Sequence, residues 1–216
     1  ETLQRLKNSG LDSIPGGGAE ILVDKIRDRI CRGKESSSEY LKIHKEAHNL
    51  GIPTNCTMLF GTIETIQDRI VHLDLLRQLQ DETNGFQCFV PYPFLPDFSR
   101  LPEAQLASSN EILRMIAISR LMLDNIPHIK AYRMNIGDDI AQLALLSGAD
   151  DIDGTVGHEE IMHSAGSTTA LDSSNQDLIR LINQTGQVAV RRNTVYSKFN
   201  IENAQVTLSN SLPLLV

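Results

Sequence analysis

The chain has 216 residues, 41% hydrophobic and 22% charged, the composition of one compact globular unit with room for a sizeable core. Lys and Arg number 20 against 27 Asp and Glu, a formal net charge of −7; an acidic surface repels phosphate backbones and excludes nucleic acid as a partner. No apolar run approaches the roughly 20 residues that cross a bilayer, and no signal peptide is read, so the expected location is the cytoplasm.

The chain opens on Glu1 rather than Met, as expected of a processed or truncated product. Cys31, Cys56 and Cys88 are odd in number and share no CxxC spacing. Buried, reduced thiols are therefore expected, not a disulfide framework or a zinc knuckle.

Residues 10–15 read as a short strand that runs into a glycine turn at Pro15, Gly16, Gly17 and Gly18. Residues 19–30 read as a helix with Ile21, Leu22, Ile26 and Ile30 in one stripe. Ser36 and Glu39 have capping-box spacing and open the next helix. Its inward face is expected to carry Tyr40, Ile43, Ala47 and Leu50, and Gly51 ends it.

The alternation then repeats. Residues 52–60 predict a strand, and 65–79 a helix with Ile66, Ile70, Leu73 and Leu76 inward. Residues 85–91 predict a strand, 110–123 a helix, 129–136 a strand and 139–146 a helix. A last short strand is expected at 151–156 and a final helix at 174–183. Strands alternating with helices predict parallel βα units in the α/β class. Five strands at regular spacing fit an arc of a (β/α)8 barrel better than a doubly wound sheet.

Active sites of such barrels sit at the C-terminal ends of the strands. The loops expected there are 15–20, 60–64, 91–98, 135–138 and 154–160. The glycine loop lets backbone N–H groups approach an anion or a nucleotide, or it is a tight turn without a ligand. His44 and His48 have metal-capable spacing, but no third ligand is identifiable, so they read as packing histidines. His158 and His163 are five apart and point about 140° apart around a helix, which excludes a zinc-protease pair. A hydrogen-bonding role in a site stays open for both. Asp150, Asp151 and Asp153 suit either a divalent cation or solvated capping. Ser164 and Ser167 lack the strand–turn–helix context of a hydrolase nucleophile.

Five runs carry a resemblance: residues 10–21 (GLDSIPGGGAEI), 48–61 (HNLGIPTNCTMLFG) with Ile63 and Glu64, 79–87 (LQDETNGFQ), 121–132 (LMLDNIPHIKAY) and 148–156 (GADDIDGTV). In these the chain resembles the futalosine-route radical SAM enzymes of menaquinone biosynthesis, the aminofutalosine synthases above all. The resemblance spans residues 6–196 in one register. It implies the C-terminal arc of a radical SAM barrel at 1–199, about five βα units, and a C-terminal tail at 200–216. The implied reaction adds the 5′-deoxyadenosyl radical of S-adenosylmethionine (SAM) to 3-[(1-carboxyvinyl)oxy]benzoate and gives aminofutalosine. The implied cofactors are SAM and a 4Fe–4S cluster. The sister enzymes, which cyclise dehypoxanthine futalosine or build the deazaflavin chromophore, are the alternative, and a noncatalytic barrel-derived module is another.

By the same resemblance Asp12, Ser13, Gly17, Glu20, Thr57, Met58, Gly61, Glu64, Val90 and Pro91 would face the cofactor. Val90 and Pro91 would do so through their backbone. Arg133, Asn135, His158 and His163 are the candidates for binding substrate, Arg133 because a guanidinium pairs bidentately with a carboxylate. No catalytic residue is assigned. The chain departs from the family in lacking the CxxxCxxC loop that holds the cluster, and its three cysteines cannot replace it. It is therefore expected to be inactive alone. Its partner is expected to be the missing N-terminal barrel segment or a second copy, because an open arc leaves two strand edges.

Overall fold

The computed structural model describes residues 1–202. In chain order the elements are α1 (Thr2–Asn8), α2 (Asp24–Ile30), α3 (Ser37–Asn49), β1 (Thr54–Phe60), α4 (Ile66–Thr83), β2 (Phe86–Pro93) and α5 (Ser109–Met122). They continue as β3 (His128–Ala131), α6 (Arg133–Ile136), α7 (Asp138–Leu145), β4 (Asp151–Ile152), α8 (Ile161–Ser164), α9 (Asn175–Asn183), β5 (Val190–Arg192) and β6 (Phe199–Ile201). Strands β1 to β4 form one parallel sheet in the order β1-β2-β3-β4. Ile14 adds a parallel bridge to Thr54, a fifth strand position. Sequential neighbours without a reversal of order make this an arc of a (β/α)8 barrel, not a doubly wound sheet.

Paired residues of a parallel ladder share a face, so the register sorts the side chains. Asn55, Thr57 and Leu59 align with Cys88, Val90 and Tyr92, Cys88 with His128, and Lys130 with Asp151. These form the inner, concave face. The alternate residues Cys56, Met58, Phe60, Phe89, Ile129 and Ala131 face the helices and build the core with Leu73, Leu76 and Ile116. Among the described residues no helix is long and apolar enough to cross a membrane.

Several expected elements are shorter or shifted. The strand expected at 10–15 is reduced to Ile14, because Pro15 has no N–H and the three glycines after it turn the chain. The helix expected from residue 19 begins at Asp24; Ile21 and Leu22 are buried, but from an irregular segment. The strand expected at 129–136 ends at Ala131, and Arg133–Ile136 form a helical turn instead. The capping box at Ser36 is present: Glu39 N–H donates to Ser36 Oγ (3.2 Å) and Ser36 N–H to Glu39 Oε2 (2.8 Å). Ile43 and Ile66, expected inward, are 50% and 74% exposed. His44 takes the inward place with Tyr40 and Ala47, and His72 the one beside Leu73 and Leu76. The pair β5–β6 was not anticipated, and of the expected tail, residues 203–216 lie outside the described residues.

His44 and His48 are packing residues. His44 Nδ1 lies 2.7 Å and His48 Nε2 2.9 Å from Thr54 Oγ1, and His48 Nδ1 lies 2.6 Å from Thr83 Oγ1. Gly85 makes room for this cluster, since a Cβ there would fall 2.1 Å from His48 Cγ. Burial lowers the pKa of His44 and His48 to about 4 and that of His72 to about 3. Histidines held neutral in the fold contribute stability that is complete above their unfolded pKa near 6.5 and lost as pH falls through the folded values. Stability read from thermal unfolding by circular dichroism is expected to fall by several kcal/mol between pH 6.5 and pH 4, roughly 2–3 kcal/mol for each ring. A flat profile over that range would contradict the neutral, buried state of these rings.

Candidate functional site

The glycine-rich segment runs beside β1 in place of a regular strand. Ile14 N–H donates to Pro53 O (3.1 Å), and Asn55 N–H to Ile14 O (3.2 Å). Further along, Ala19 N–H donates to Thr57 Oγ1 (2.9 Å) and Leu59 N–H to Glu20 O (2.7 Å). Side chains satisfy more of its backbone. Tyr40 Oη donates to Gly16 O (2.7 Å), the Arg27 guanidinium to Ala19 O, and Leu22 N–H donates to His72 Nδ1 (2.9 Å). A Cβ on Gly16 would fall 2.6 Å from Thr57 Cγ2, so only glycine lets the two backbones approach this closely. Glu20 has a left-handed backbone (φ 52°), rare for a residue with a side chain. Lys34 Nζ holds it, donating to Glu20 Oε1 (2.8 Å) and Gly18 O (2.7 Å).

At the C-terminal end of β1 the chain turns through Gly61 (φ 89°) into α4. The Glu64 carboxylate is fully buried and organises this turn. It accepts from Gly61 N–H (2.6 Å), Thr62 N–H (2.8 Å), Thr62 Oγ1 (2.6 Å) and Arg69 Nε (2.9 Å). Arg69 reaches on to Glu111 (2.8 Å) and lies 5.1 Å over the Phe60 ring. The carboxylate is thus engaged within the loop.

The ends of β2, β3 and β4 bring together Tyr92, Tyr132, Arg133, Asn135 and Asp153. The two tyrosine rings meet edge to face at 5.1 Å, and burial pushes the Tyr132 hydroxyl up to about 12. Arg133 is buried, donates from its backbone N–H to Asp153 Oδ1, and pairs with Asp138 Oδ1 (3.0 Å). Arg133 Nε, Asn135 Oδ1 and Asp153 Oδ2 are buried without hydrogen-bond partners. Burial raises the Asp153 carboxyl above the usual carboxylate range, although N–H donors and Arg133 oppose it.

Lower on the inner face Asp151 accepts from Arg192 Nε (2.8 Å) and Nη2 (2.7 Å) and from Tyr196 Oη (2.7 Å), with Lys130 Nζ at 3.4 Å. Tyr196 stacks on His128 at 4.2 Å. Burial opposes ionisation of Asp151, but its cationic and hydroxyl partners hold it below the usual range. The acidic run is therefore divided among three sets of donors, Asp150 going to Arg120 (2.7 Å), His128 (2.8 Å) and Ile129 N–H (2.8 Å). Among the described residues no group of three or more His, Cys, Asp or Glu side chains could hold a metal ion.

Of the residues expected to face a cofactor, Gly17, Glu20, Gly61 and Glu64 lie toward the C-terminal end of β1. Thr57 and Val90 are neighbours on the inner face. The Met58 side chain lies in the helix-side core and Pro91 is its ladder partner, so both offer a ligand only backbone. Asp12 and Ser13 precede the bridge at Thr54 and lie at the opposite end, since Thr54 itself is about 20 Å from Phe60 at 3.3 Å per residue. His158 is exposed and pairs with Glu160 (3.1 Å), while His163 Nε2 meets Thr169 O (2.9 Å). Asp153 was singled out only as a cation ligand or cap, and Tyr92, Lys130 and Arg192 were not anticipated. The first three lie two residues from other inner-face positions, the period that could have revealed them.

Two cavities open beside these elements. One of about 380 Å³ lies between Glu20, the end of α2, β1 and residues 94–101. Another of about 430 Å³ lies between β4, α9 and residues 187–192. The glycine segment fits a small polar ligand such as SAM: Gly17 is exposed, and a Cβ there would meet only Pro15 O, at 4.0 Å. Among the described residues the N–H groups of Gly16, Gly17 and Gly18 donate to no protein acceptor. The cysteines do not fit an iron–sulfur cluster. Cys56 and Cys88 are buried on opposite faces of the sheet, and Cys31 follows α2.

Comparison with known proteins supplies the relatives. The family model of the CofH/MqnC C-terminal region matches residues 83–205. An aminodeoxyfutalosine synthase from Thermus thermophilus is 44% identical over 93% of this chain and 55% of its own length. A 5-amino-6-(D-ribitylamino)uracil–L-tyrosine 4-hydroxyphenyl transferase from Methanothermobacter thermautotrophicus is 41% identical over 91% of this chain and 55% of its own. A cyclic dehypoxanthine futalosine synthase from Streptomyces coelicolor is 40% identical, over 91% and 49%. The chain spans about half the length of the curated relatives it matches. The crystal structure of methylornithine synthase (PylB) shares the fold with a TM-score of 0.67 at 20% identity, covering 86% of this chain and 54% of that one.

The buried Glu64–Arg69 pair gives a direct check of how the β1–α4 turn is held. Glu64→Gln leaves the Arg69 charge half-partnered and is expected to lower stability by about 3 kcal/mol, read from urea unfolding midpoints. A change within 0.5 kcal/mol would mean that the turn holds without the carboxylate.

Proposed function

Because the chain belongs to the CofH/MqnC family, we propose that it forms the C-terminal arc of a radical SAM enzyme of the aminofutalosine synthase type. The observation that carries this reading is the match to that family over residues 83–205, together with 44% identity to an aminodeoxyfutalosine synthase across nearly the whole chain. In this reading the substrates are SAM and 3-[(1-carboxyvinyl)oxy]benzoate. Bound SAM supplies the 5′-deoxyadenosyl group that is joined to the enol ether.

The chain's own residues bind and orient. Gly17 and Gly18 offer backbone N–H groups beside Glu20, whose backbone is fixed by Leu59 and whose carboxylate is aimed by Lys34. Thr57, Met58, Gly61, Val90 and Pro91 form the adjoining wall, Met58 and Pro91 through backbone. Tyr92 and Tyr132 bring ring edges to the same end of the sheet and exclude water there. Arg133 and Asn135 keep polar atoms without hydrogen-bond partners, which suits a substrate carboxylate or hydroxyl. Asp12, Ser13, His158 and His163 have no part in this arrangement. The cluster's ligands are none of Cys31, Cys56 and Cys88, and we propose that this chain by itself is inactive.

The reading is tested with the intact enzyme that contains this chain, assayed anaerobically with SAM and the enolpyruvyl-oxybenzoate. Aminofutalosine is the expected product, and Glu20→Gln is expected to lower kcat/KM at least tenfold. Turnover of 5-amino-6-(D-ribitylamino)uracil with tyrosine in its place would overturn the assignment in favour of the transferase. The arc also exposes strand edges, at residues 10–15 and at β4, so the isolated chain is expected to self-associate. A compact monomer of the 216-residue chain on size-exclusion chromatography would contradict this.

A further inference from the structure

The polar atoms left over at the ends of β3 and β4 are sealed as well as poorly partnered. Asn135 Oδ1 has no hydrogen-bond partner, and Asp153 Oδ2 meets only Arg133 Nε, at 3.9 Å. Asn135 is 8% and Asp153 6% exposed, so a ligand reaches these atoms only when their cover moves. That cover is the stretch from Gly154 into the first turn of α8. Met162 Sδ lies 3.5 Å from Asn135 Nδ2, and Tyr132 Oη donates to Glu159 Oε2 (3.4 Å).

The two halves of the segment that follows β4 are held very differently. Residues 154–159 make no backbone hydrogen bond among the described residues, and a Cβ on Gly154 or Gly157 would meet nothing within 4 Å. Residues 167–173, by contrast, are pinned to the α6 turn. Ser167 Oγ donates to Met134 O (2.6 Å), Thr169 Oγ1 to Arg133 O (3.3 Å), and Arg133 Nη1 to Ser173 Oγ (3.2 Å). Local opening is therefore concentrated ahead of Gly166, where few hydrogen bonds have to break.

We propose that residues 154–162 are a lid over Asn135 and Asp153, and that Glu159 is the positioning residue that latches it to the Tyr132 hydroxyl. One carboxylate oxygen takes that hydroxyl, and the other accepts from Met162 N–H (3.0 Å), so phenol, lid and α8 are held together. When the latch parts, the cover leaves Asn135 and Asp153, and the Tyr132 hydroxyl turns to an incoming ligand. The lid follows from this geometry; it rests on the enzyme assignment only for what passes it, the substrate.

Glu159 and the exposed Glu160 make the lid a target for a glutamate-specific protease, and the exposed Glu103 is a reference site in another loop. The test is limited digestion of the 216-residue chain, with the cuts located and timed by mass spectrometry. Tyr132→Phe keeps the ring that packs on Tyr92 and removes only the hydroxyl. Slow proteolysis tracks the open population, so cutting after Glu159 and Glu160 is expected to rise at least threefold, with Glu103 unchanged. Gly157→Ala narrows the backbone where a Cβ has room, and is expected to slow the same cuts about twofold. Unchanged lid cutting in Tyr132→Phe would reduce Glu159 to a cap on α8 and overturn the latch. An equal rise after Glu103, or no slowing in Gly157→Ala, would overturn the lid. Because digestion reads the lid and not turnover, its failure leaves the enzyme assignment standing, and failure of the enzyme assay leaves the lid standing.

Discussion

Residues 15–20 contain a proline and three glycines, so they cannot form a regular ladder, and the backbone groups they leave unpaired must be satisfied some other way. Side chains from three elements do this for part of it, Arg27 of α2, Tyr40 of α3 and Thr57 of β1, and His72 of α4 holds Leu22 just beyond. The position of Glu20, the cavity beside it and the seating of α2 all depend on this arrangement. Its register against β1 is fixed at three points, the bridge at Ile14, Ala19 N–H on Thr57 Oγ1 and Leu59 N–H on Glu20 O.

The pleat of the sheet separates the two tasks of the arc. Residues that face the helices are apolar and hold the fold, while those on the inner face are polar, aromatic or charged. Charges on that face persist because they are partnered. Asp151 is gripped by Arg192, Tyr196 and Lys130, so residues from the hairpin β5–β6 anchor the lower end of the inner face. Nearer the strand ends the partnering is incomplete. Asn135 keeps a buried oxygen without a hydrogen-bond partner, and Arg133 Nε and Asp153 Oδ2 face each other only at ion-pair distance (3.9 Å), so it is there that a ligand gains most from binding. The arc is thus closed at one end and left open to chemistry at the other.

The three histidines show how burial converts sequence into a pH response. His44, His48 and His72 accept or share hydrogen bonds with Thr54, Thr83 and Leu22 and are held neutral chiefly by desolvation, with His48 adding to it at His44 and Arg27 at His72. They tie helices α3 and α4 to the strands. The metal-like spacing of His44 and His48 serves packing, since both rings converge on one threonine hydroxyl.

Local signals in the sequence determined the order of helices and strands, the capping box at Ser36 and the glycine turn, because each depends on residues a few positions apart; of the three thiols expected to be buried, Cys56 and Cys88 are and Cys31 is partly exposed. The runs around 10–21, 48–61 and 121–132 were specific enough to place the chain in its family. Only the tertiary structure decided where those elements stop and which atoms meet. Ile43 and Ile66 have the right period for a core face, but the helices turn His44 and His72 inward, a choice set by packing against Thr54 and Leu22. Asp12 and Ser13 neighbour the glycine loop in sequence yet lie at the far end of the strand, because an extended chain climbs about 3.3 Å per residue. The Asp151–Arg192–Tyr196 cluster spans more than forty positions, and the orphaned atoms of Arg133, Asn135 and Asp153 exist only through burial. No local pattern encodes contacts of that range, since they depend on how the strands and the hairpin close on one another.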